Sequence, residues 1–491
     1  MTLVKKFFAI APRPYTQLLL AARTLTLSRL SLCIPSRYFT GGSEHADSDF
    51  FHYTSGRWLD KELDAAEQKM RYLAFDVNAL KAAAVAAVDG AQSVVNIVKL
   101  PEGSYSKTFL MTLDNKEEVI ARLRTPYAPP PHYATASEVA TMEFARVRLG
   151  LPVPRVLSWC SAKGSTAVGA EFIIMEKAIG VPVSKLWPQM SQLQKLKFVE
   201  EVVKVEKAAL GNPLPSYGSI FFRGDIAPEK AFEVDDIFVI GPTVEWKFWG
   251  GERIEMNLDR GPCECLPLSL YSLVYFLRGK TPSAYLHALC QREQEWIRSY
   301  ASSQPLHQFR DHPAITRDPS AHLGILDHFR SIIPSILPIG SPELVQPTLW
   351  HRDLSGDNIF ISEEELAKGR VSITSITDWK HMWAGPMYLQ ACVPRVFRYH
   401  SPWNVPERLQ IASLPEGISE KSESEQKAAR DDVDAKNLEI CYRAHVVQHA
   451  PLYYGTLVEG YFKLFADLHL VASMSWDMFH IVSVHPVVIL I

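Results

Sequence analysis

The stretch that decides the fold of this chain is LWHRDLSGDNIF, residues 349–360. It places three polar residues in the order H-x-D-x-x-x-x-N, namely His351, Asp353 and Asn358. An apolar, strand-like run at 371–377 follows and leads directly into Asp378. Kinase-type catalysis needs one carboxylate to orient the attacking hydroxyl, and an amide and a second carboxylate to hold Mg²⁺ against the phosphates. An H-x-D triplet alone is common by chance, but the two pieces in this order predict a phosphoryl-transfer site.

The region before this motif has the pattern of a small antiparallel sheet. Alternating residues predict strands at 93–100, 105–113 and 117–123, and a continuous apolar run predicts a short buried strand at 172–175. Apolar residues at helical spacing predict helices at 75–88 and 135–149. Three strands, a helix and then further strands is the layout of the small lobe of a kinase.

Beyond residue 178 the pattern becomes mainly helical. We expect helices at 189–210, 282–300 and 322–333, with Pro334 ending the last. The charged stretch 421–436 indicates an exposed insertion or helix surface. The predicted fold class is therefore α+β, with a small β-rich N-lobe of kinase type and a larger, mainly helical C-lobe. The expected divisions are a transit peptide, an N-terminal extension, the N-lobe, the C-lobe and a tail, at 1–43, 44–74, 75–178, 179–470 and 471–491.

The N-terminus has the composition of a targeting segment. Residues 1–43 contain no acidic residue, and Arg and Lys are set among Leu, Ala, Ser and Thr. A basic amphipathic start of this kind is typical of mitochondrial transit peptides. A disordered basic tail is the alternative. The sequence therefore predicts a mitochondrial protein.

Composition narrows the classes of partner. The net charge of −3 over 491 residues gives no basic excess for nucleic acid. No uncharged apolar run is long enough to predict a transmembrane segment. The seven cysteines show no disulfide framework, which favours a reducing compartment. We therefore expect a small-molecule substrate, and the oligomeric state stays open.

Two features of the predicted N-lobe suit nucleotide phosphates. The turn at 100–106 contains Gly103 and could fold its backbone N–H groups over them. Arg122, in V-I-A-R, stands where a kinase strand carries lysine, with a surface strand charge as the alternative. Glu138 could pair with Arg122, and Glu143, about 140° further around the same helix, is its rival.

Several of these motifs, taken together, resemble those of a known superfamily. Gly103, V-I-A-R, the LPVP run at 151–154, WHRDLSGDNIF and ITDW together resemble the aminoglycoside phosphotransferase (choline kinase-like) superfamily over roughly residues 75–400. Within it, IGPTVEWKFW resembles the fungal mitochondrial group called altered inheritance of mitochondria proteins. The resemblance implies a bilobal fold that binds ATP and Mg²⁺ in its cleft and phosphorylates a small-molecule hydroxyl.

The resemblance also implies roles for particular residues. Asp353 would be the catalytic base, braced by His351, and Asn358 and Asp378 would bind Mg²⁺. Arg122, held by Glu138, would contact the α- and β-phosphates. The remaining nucleotide contacts would come from the loop residues Gly103 and Ser104 and from the backbone at Met175 and Glu176.

Three hypotheses follow from these observations. The first is a mitochondrial ATP- and Mg²⁺-dependent phosphotransferase with an alcohol group as acceptor. The alternative is a nucleotide-binding pseudoenzyme with a structural or regulatory role, for which the single-glycine loop and Arg122 leave room. A protein kinase fits least, because no A-P-E motif and no activation-loop glycine follow Asp378.

Overall fold

A computed structural model describes residues 46–57, 61–128, 130–162, 164–264, 282–301, 318–338, 341–399 and 409–458. The predicted transit peptide and the predicted tail at 471–491 lie outside these residues. The helices are α1 Ala46–Phe51, α2 Lys61–Met70, α3 Val77–Ala86, α4 Tyr133–Val147, α5 Val183–Leu186, α6 Gln192–Leu210, α7 Pro282–Tyr300, α8 Pro319–Ile336, α9 Glu363–Ala367, α10 Met387–Gln390, α11 Glu423–His449 and α12 Pro451–Val458.

The strands are short in the larger lobe and longer in the smaller one. They are β1 Val94–Lys99, β2 Ser106–Leu113, β3 Glu118–Arg124, β4 Val156–Cys160, β5 Phe172–Glu176, β6 Val181–Pro182, β7 Ser216–Tyr217, β8 Ser219–Phe222, β9 Phe232–Glu233, β10 Phe238–Gly241, β11 Cys263–Glu264, β12 Pro347–Leu349, β13 Ile359–Ile361, β14 Ile373–Ile376 and β15 Ala384–Pro386.

The N-lobe is built on one antiparallel sheet of five strands in the order β1-β2-β3-β5-β4. Strand β2 alternates between buried and half-buried positions, as a sheet with one covered face requires. Its buried side chains join a core with α3 and with the N-terminal segment, where Phe50 packs edge-on against Phe109 at 5.1 Å between ring centroids. The described residues before Phe75, among them Phe50 and Leu73, therefore pack into the N-lobe.

Helix α4 lies between the two lobes and is buried along most of its length. Small residues such as Ala136 and Ala140 let the sheets on either side approach its backbone. On one side it packs against β4 and β5, and on the other against β8 of the C-lobe. This central position allows one side chain of α4 to reach the cleft.

The C-lobe core gathers around α6, α7, α8 and α11. Helices α6 and α11 each begin with a capping box, at Ser191 and Ser422, which satisfies backbone N–H groups of the first turn. The hairpin of β13 and β14 follows the HRD motif, and β12 pairs with β15. These short strands fix both ends of the segment that carries the predicted catalytic residues.

The structure confirms the bilobal α+β fold, the four predicted strands and the predicted helices, with shifts of a few residues at their ends. The charged stretch after residue 421 forms the exposed first half of α11. The predicted stop at Pro334 is wrong, because α8 continues to Ile336. Proline lacks the N–H of one helical bond, but Pro334 is exposed in the last turn and the buried Ile333 and Ile336 hold that turn in place. Among the described helices, none combines the length and the apolar character needed to cross a bilayer.

Candidate active site

The HRD motif forms a tight loop between β12 and β13. The Asn358 side chain donates from Nδ2 to the backbone oxygen of Asp353 at 2.9 Å and to Asp353 Oδ2 at 3.2 Å. The backbone N–H of Ser355 donates to the same carbonyl oxygen at 2.8 Å. These bonds close the loop and hold the Asp353 carboxylate at the mouth of the C-lobe, where it is partly exposed.

His351 joins this loop to the segment that carries Asp378. Its Nε2 donates to the backbone oxygen of Thr377 at 3.0 Å, since a carbonyl can only accept. Burial lowers the pKa of His351, although that hydrogen bond and the nearby aspartates oppose the shift, so the ring is neutral near pH 7. The ring also meets Trp379 edge-on at 4.8 Å. His351 thus connects the loop of Asp353 to the segment of Asp378.

Asp378 projects into the cleft from a strained backbone. Its φ of +67° lies in the left-handed region, which Asp tolerates better than most residues. Oδ2 lies 2.9 Å from Lys380 Nζ, whereas Oδ1 is buried without a hydrogen-bond partner. Burial alone would raise the pKa of Asp378, but the charges of Lys380 and Arg122 lower it below its ordinary value. The carboxylate is therefore ionised, with one oxygen to offer.

The N-lobe brings its own charges to the same place. Arg122 Nη2 is ion-paired with Glu138 Oε1 across from β3 to α4, and Arg122 Nη1 lies 4.0 Å from Asp378 Oδ1. Arg124 shares Glu138, at 3.7 Å between Nη2 and Oε2. Glu143, the rival partner, is instead paired with an arginine one turn away on its own helix. The structure thus assembles Arg122, Glu138 and Asp378 at the cleft between the lobes.

The loop between β1 and β2 covers this cleft. Gly103 and Ser104 are exposed at its tip. A Cβ on Gly103 would lie 3.9 Å from Lys380 Nζ, so the loop tip lies directly over the cation beside Asp378. Tyr105 continues the contact, meeting the ring of His381 edge-on at 5.1 Å. The motifs in the sequence did not indicate a role for Lys380. Its position two residues after Asp378 could have indicated that it lies in the cleft.

A buried ion cluster fixes the base of the loop. Glu102 Oε1 accepts from Lys107 Nζ at 2.6 Å, and Lys107 is 0% exposed. Glu102 Oε2 accepts from the backbone N–H of Thr54 at 2.6 Å and lies 3.0 Å from Lys99 Nζ. The backbone N–H of Glu102 donates to Ser55 Oγ at 2.6 Å. The segment at 52–55 therefore anchors the loop, a role that no motif in the sequence revealed.

The predicted adenine contact lies at the end of β5. Met175 is buried between β3 and β4, and Glu176 is half-exposed and ion-paired with Arg155 at 3.2 Å. The chain then crosses to the C-lobe through 177–180. This is where the two lobes of a kinase-type fold are joined, and the nucleotide role of both residues stays a prediction.

The chemistry of the cleft fits a magnesium ion. Nowhere in the described ranges do three His, Cys, Asp or Glu side chains cluster as a metal cage would. Kinase-type sites do not need such a cage, since one carboxylate, one amide and the nucleotide phosphates hold the ion. Asp378 supplies a carboxylate oxygen without a hydrogen-bond partner, and Asn358 would offer its amide oxygen, because its nitrogen is used on Asp353.

Comparison with solved structures finds similar chains at low sequence identity. A putative aminoglycoside phosphotransferase from Ralstonia eutropha covers 82% of this chain and 98% of its own, at 14% identity and a TM-score of 0.37. A putative fructosamine-3-kinase from Thermobifida fusca covers 81% and 99%, at 14% identity and a TM-score of 0.35. The aminoglycoside phosphotransferase APH(4)-Ia was solved in complex with ADP and hygromycin B. At these TM-scores the likeness supplies no residue correspondence.

Fold and cleft together place this chain in the class of bilobal, protein-kinase-like α+β proteins, with a small antiparallel β-sheet lobe and a larger, mainly helical lobe. Within that class, the chain belongs to the family of the subtelomeric hrmA-associated cluster protein of Aspergillus fumigatus. The two are 34% identical over 367 residues, which are 72% of this chain and 70% of that protein. No protein-family profile matches the chain.

More distant fungal relatives carry mitochondrial names. Altered inheritance of mitochondria protein 9 of Yarrowia lipolytica is 27% identical over 262 residues, 47% of this chain and 45% of that protein. The protein of the same name from Kluyveromyces lactis is 25% identical over 305 residues. The resemblance stated from the motifs is thereby confirmed, and these names agree with the predicted mitochondrial localisation.

Proposed function

We propose that this protein is an ATP- and Mg²⁺-dependent phosphotransferase that acts on the hydroxyl of a small molecule in mitochondria. One observation carries the proposal. The Arg122–Glu138 pair of the N-lobe meets Asp378 of the C-lobe, whose Oδ1 is buried without a hydrogen-bond partner. An ionised carboxylate that keeps one buried oxygen unpartnered beside an arginine is a costly arrangement unless a ligand completes it.

Each residue of the cleft would have a separate role in the reaction. Bound Mg·ATP would supply the transferable phosphoryl group. Arg122 and Lys380 would bind its phosphates, and the turn at Gly103 would cover them and exclude water. Asp353 would orient the acceptor hydroxyl and take its proton at a carboxylate oxygen. His351 would keep the loop of Asp353 in register with the segment of Asp378.

A second candidate function is a pseudoenzyme that binds nucleotide without turnover. It is favoured by the ion pairs that neutralise both key carboxylates, Asp353 with Arg395 and Asp378 with Lys380. A regulatory fold could keep both pairs closed. The two proposals differ in turnover and agree on nucleotide binding.

The test compares turnover and binding in Asp353→Asn. ADP formation is followed with a mixture of mitochondrial small molecules as acceptor, and Mg·ATP affinity is measured in parallel. We expect turnover in the wild type, a loss of at least about a hundredfold in the variant, as is typical for a general base, and little change in affinity. Retained turnover in Asp353→Asn would refute the proposed role, and absence of turnover in the wild type with intact binding would favour the pseudoenzyme.

A further inference from the structure

The catalytic-loop aspartate faces positive charge on its acceptor side. Arg395, from the segment after α10, lies 3.3 Å from Asp353 Oδ1 through Nη1. Its side chain is 55% exposed, so it stands at the entrance and not in the core. Arg352 is exposed next to Asp353 in the loop itself. Nearby, Arg398 donates to the backbone oxygen of Val393 at 3.0 Å.

A second cation lies deeper behind this entrance. Lys247 is ion-paired with Glu245 at 3.0 Å and donates to Tyr285 Oη at 2.9 Å. Its ammonium also lies 5.8 Å from the ring centre of Trp383. Burial lowers the pKa of Lys247 to about 8, Glu245 opposes the shift, and the charges of Arg292 and Arg352 add to it. Arg352 therefore lies close enough to Lys247 for their charges to repel, and Glu245 already has Lys247 as its counter-charge.

The sign of this charge restricts the acceptor. A cationic alcohol placed against Asp353 would bring its charge next to Arg395 and the neighbouring Arg352, and these like charges would repel it. An oxyanion is the group that guanidinium binds best, with two parallel hydrogen bonds. Such an anion would also draw Arg395 away from Asp353 Oδ1 and free that oxygen for the acceptor hydroxyl.

We infer that the acceptor is an alcohol carrying an oxyanion, a carboxylate or a phosphate, which Arg352 and Arg395 bind while the hydroxyl lies against Asp353. The inference rests on the proposed function, because it assigns Asp353 to the acceptor. It adds the chemical class of substrate. It also gives the Arg395–Asp353 ion pair a function. Arg395 stays bound to the Asp353 carboxylate until an anionic acceptor draws the arginine away.

The experiment measures binding of four small alcohols to the full chain by calorimetry. The protein is first saturated with Mg²⁺ and AMP-PNP. Glycerate and glycerol 3-phosphate are the anionic probes, glycerol the neutral one and ethanolamine the cationic one. We expect saturable binding of at least one anion, weakened about tenfold or more in Arg352→Ala and in Arg395→Ala. The control is Arg370→Ala. Arg370 is also an exposed, ion-paired arginine, but its partner is Glu365 of α9. This variant should bind the anions as tightly as the wild type does.

The outcomes separate this inference from the proposed function. Glycerol or ethanolamine binding as tightly as the anions, or anion binding unchanged in both arginine variants, would overturn it. If AMP-PNP itself does not bind, the proposed function fails first, and the four titrations are repeated without nucleotide. Anion binding that still depends on Arg352 and Arg395 would then support an oxyanion site without phosphoryl transfer, and its absence would overturn both.

Discussion

The buried Glu102–Lys107 pair should control the stability of the N-lobe, and Glu102→Gln is the change that tests it. Gln keeps the shape of the side chain and removes its charge. Lys107 Nζ then keeps its hydrogen bond to the backbone oxygen of His52 at 2.8 Å, but the negative charge beside it is gone. Lys99 loses its carboxylate as well.

The magnitude follows from the burial. The Lys107 side chain is 0% exposed and that of Glu102 is 1% exposed, so solvent cannot compensate the lost charge. Removing one partner of a buried ion pair costs about 3–5 kcal/mol, because the other charge stays buried without compensation. We expect a loss of this size in the free energy of unfolding. Replacing both partners, in Glu102→Gln with Lys107→Met, should recover at least about half of it.

The assay is urea unfolding followed by tryptophan fluorescence, with Mg·ATP affinity measured on the same samples. Glu117→Gln, an exposed carboxylate in the next turn of the same sheet, is the control and should change neither quantity. Because Glu102 also holds the loop of Gly103, nucleotide affinity should fall together with stability. A loss below about 1 kcal/mol in Glu102→Gln, or a double variant no better than the single one, would refute the reasoning.

Two further predictions concern buried carboxylates. Glu138→Gln should lower the free energy of unfolding by about 3 kcal/mol and weaken Mg·ATP binding, because Arg122 loses its closest carboxylate. The control Glu143→Gln removes one partner of a half-exposed pair and should cost under about 1 kcal/mol. Equal effects of the two variants would contradict the assignment of Glu138 as the partner of Arg122. Burial raises the pKa of Glu206 to about 8, against hydrogen bonds from Tyr442 and Tyr453. Between pH 4.5 and 8 the folded chain keeps the proton on Glu206, whereas the unfolded chain, with a pKa near 4.5, loses it. The free energy of unfolding should therefore fall as the pH rises through this range, by at most about 5 kcal/mol. Glu206→Gln should flatten that dependence, and an unchanged slope in pH-dependent urea unfolding would exclude the mechanism.

Local sequence was enough for β1, β2, β3 and β5, for α3, α4 and α6 to α8, and for the spacing within the candidate site. The H-x-D-x-x-x-x-N spacing and the strand ending before Asp378 depend on residues close in sequence, so their geometry is readable from the pattern. Alternation located β1 to β3 for the same reason. The choice of Glu138 over Glu143 needed the structure, because both lie on one helix and only the packing of α4 between the lobes decides which one faces β3.

The features that the sequence did not reveal depend on residues that only the tertiary fold brings together. Lys107 shares a face of β2 with the buried Phe109, Met111 and Leu113, and the alternation of the strand does not show which acceptors hold its charge there. Its partner Glu102 is bound by a segment 48 residues earlier. Arg395 reaches Asp353 from 42 residues away, through a loop with no periodic pattern. Such contacts follow from the tertiary fold and leave no local signature.

We expect Asp378 and Asn358 to hold Mg²⁺ for a nucleotide in this cleft. The most direct test follows the melting temperature of the full chain as ATP is added, with and without Mg²⁺, for the wild type and for Asp378→Ala. Binding of Mg·ATP must raise the melting temperature by mass action, so a Mg²⁺-dependent rise is expected in the wild type and should be lost in the variant. No rise at millimolar Mg·ATP in the wild type, or an equal rise in Asp378→Ala, would contradict it.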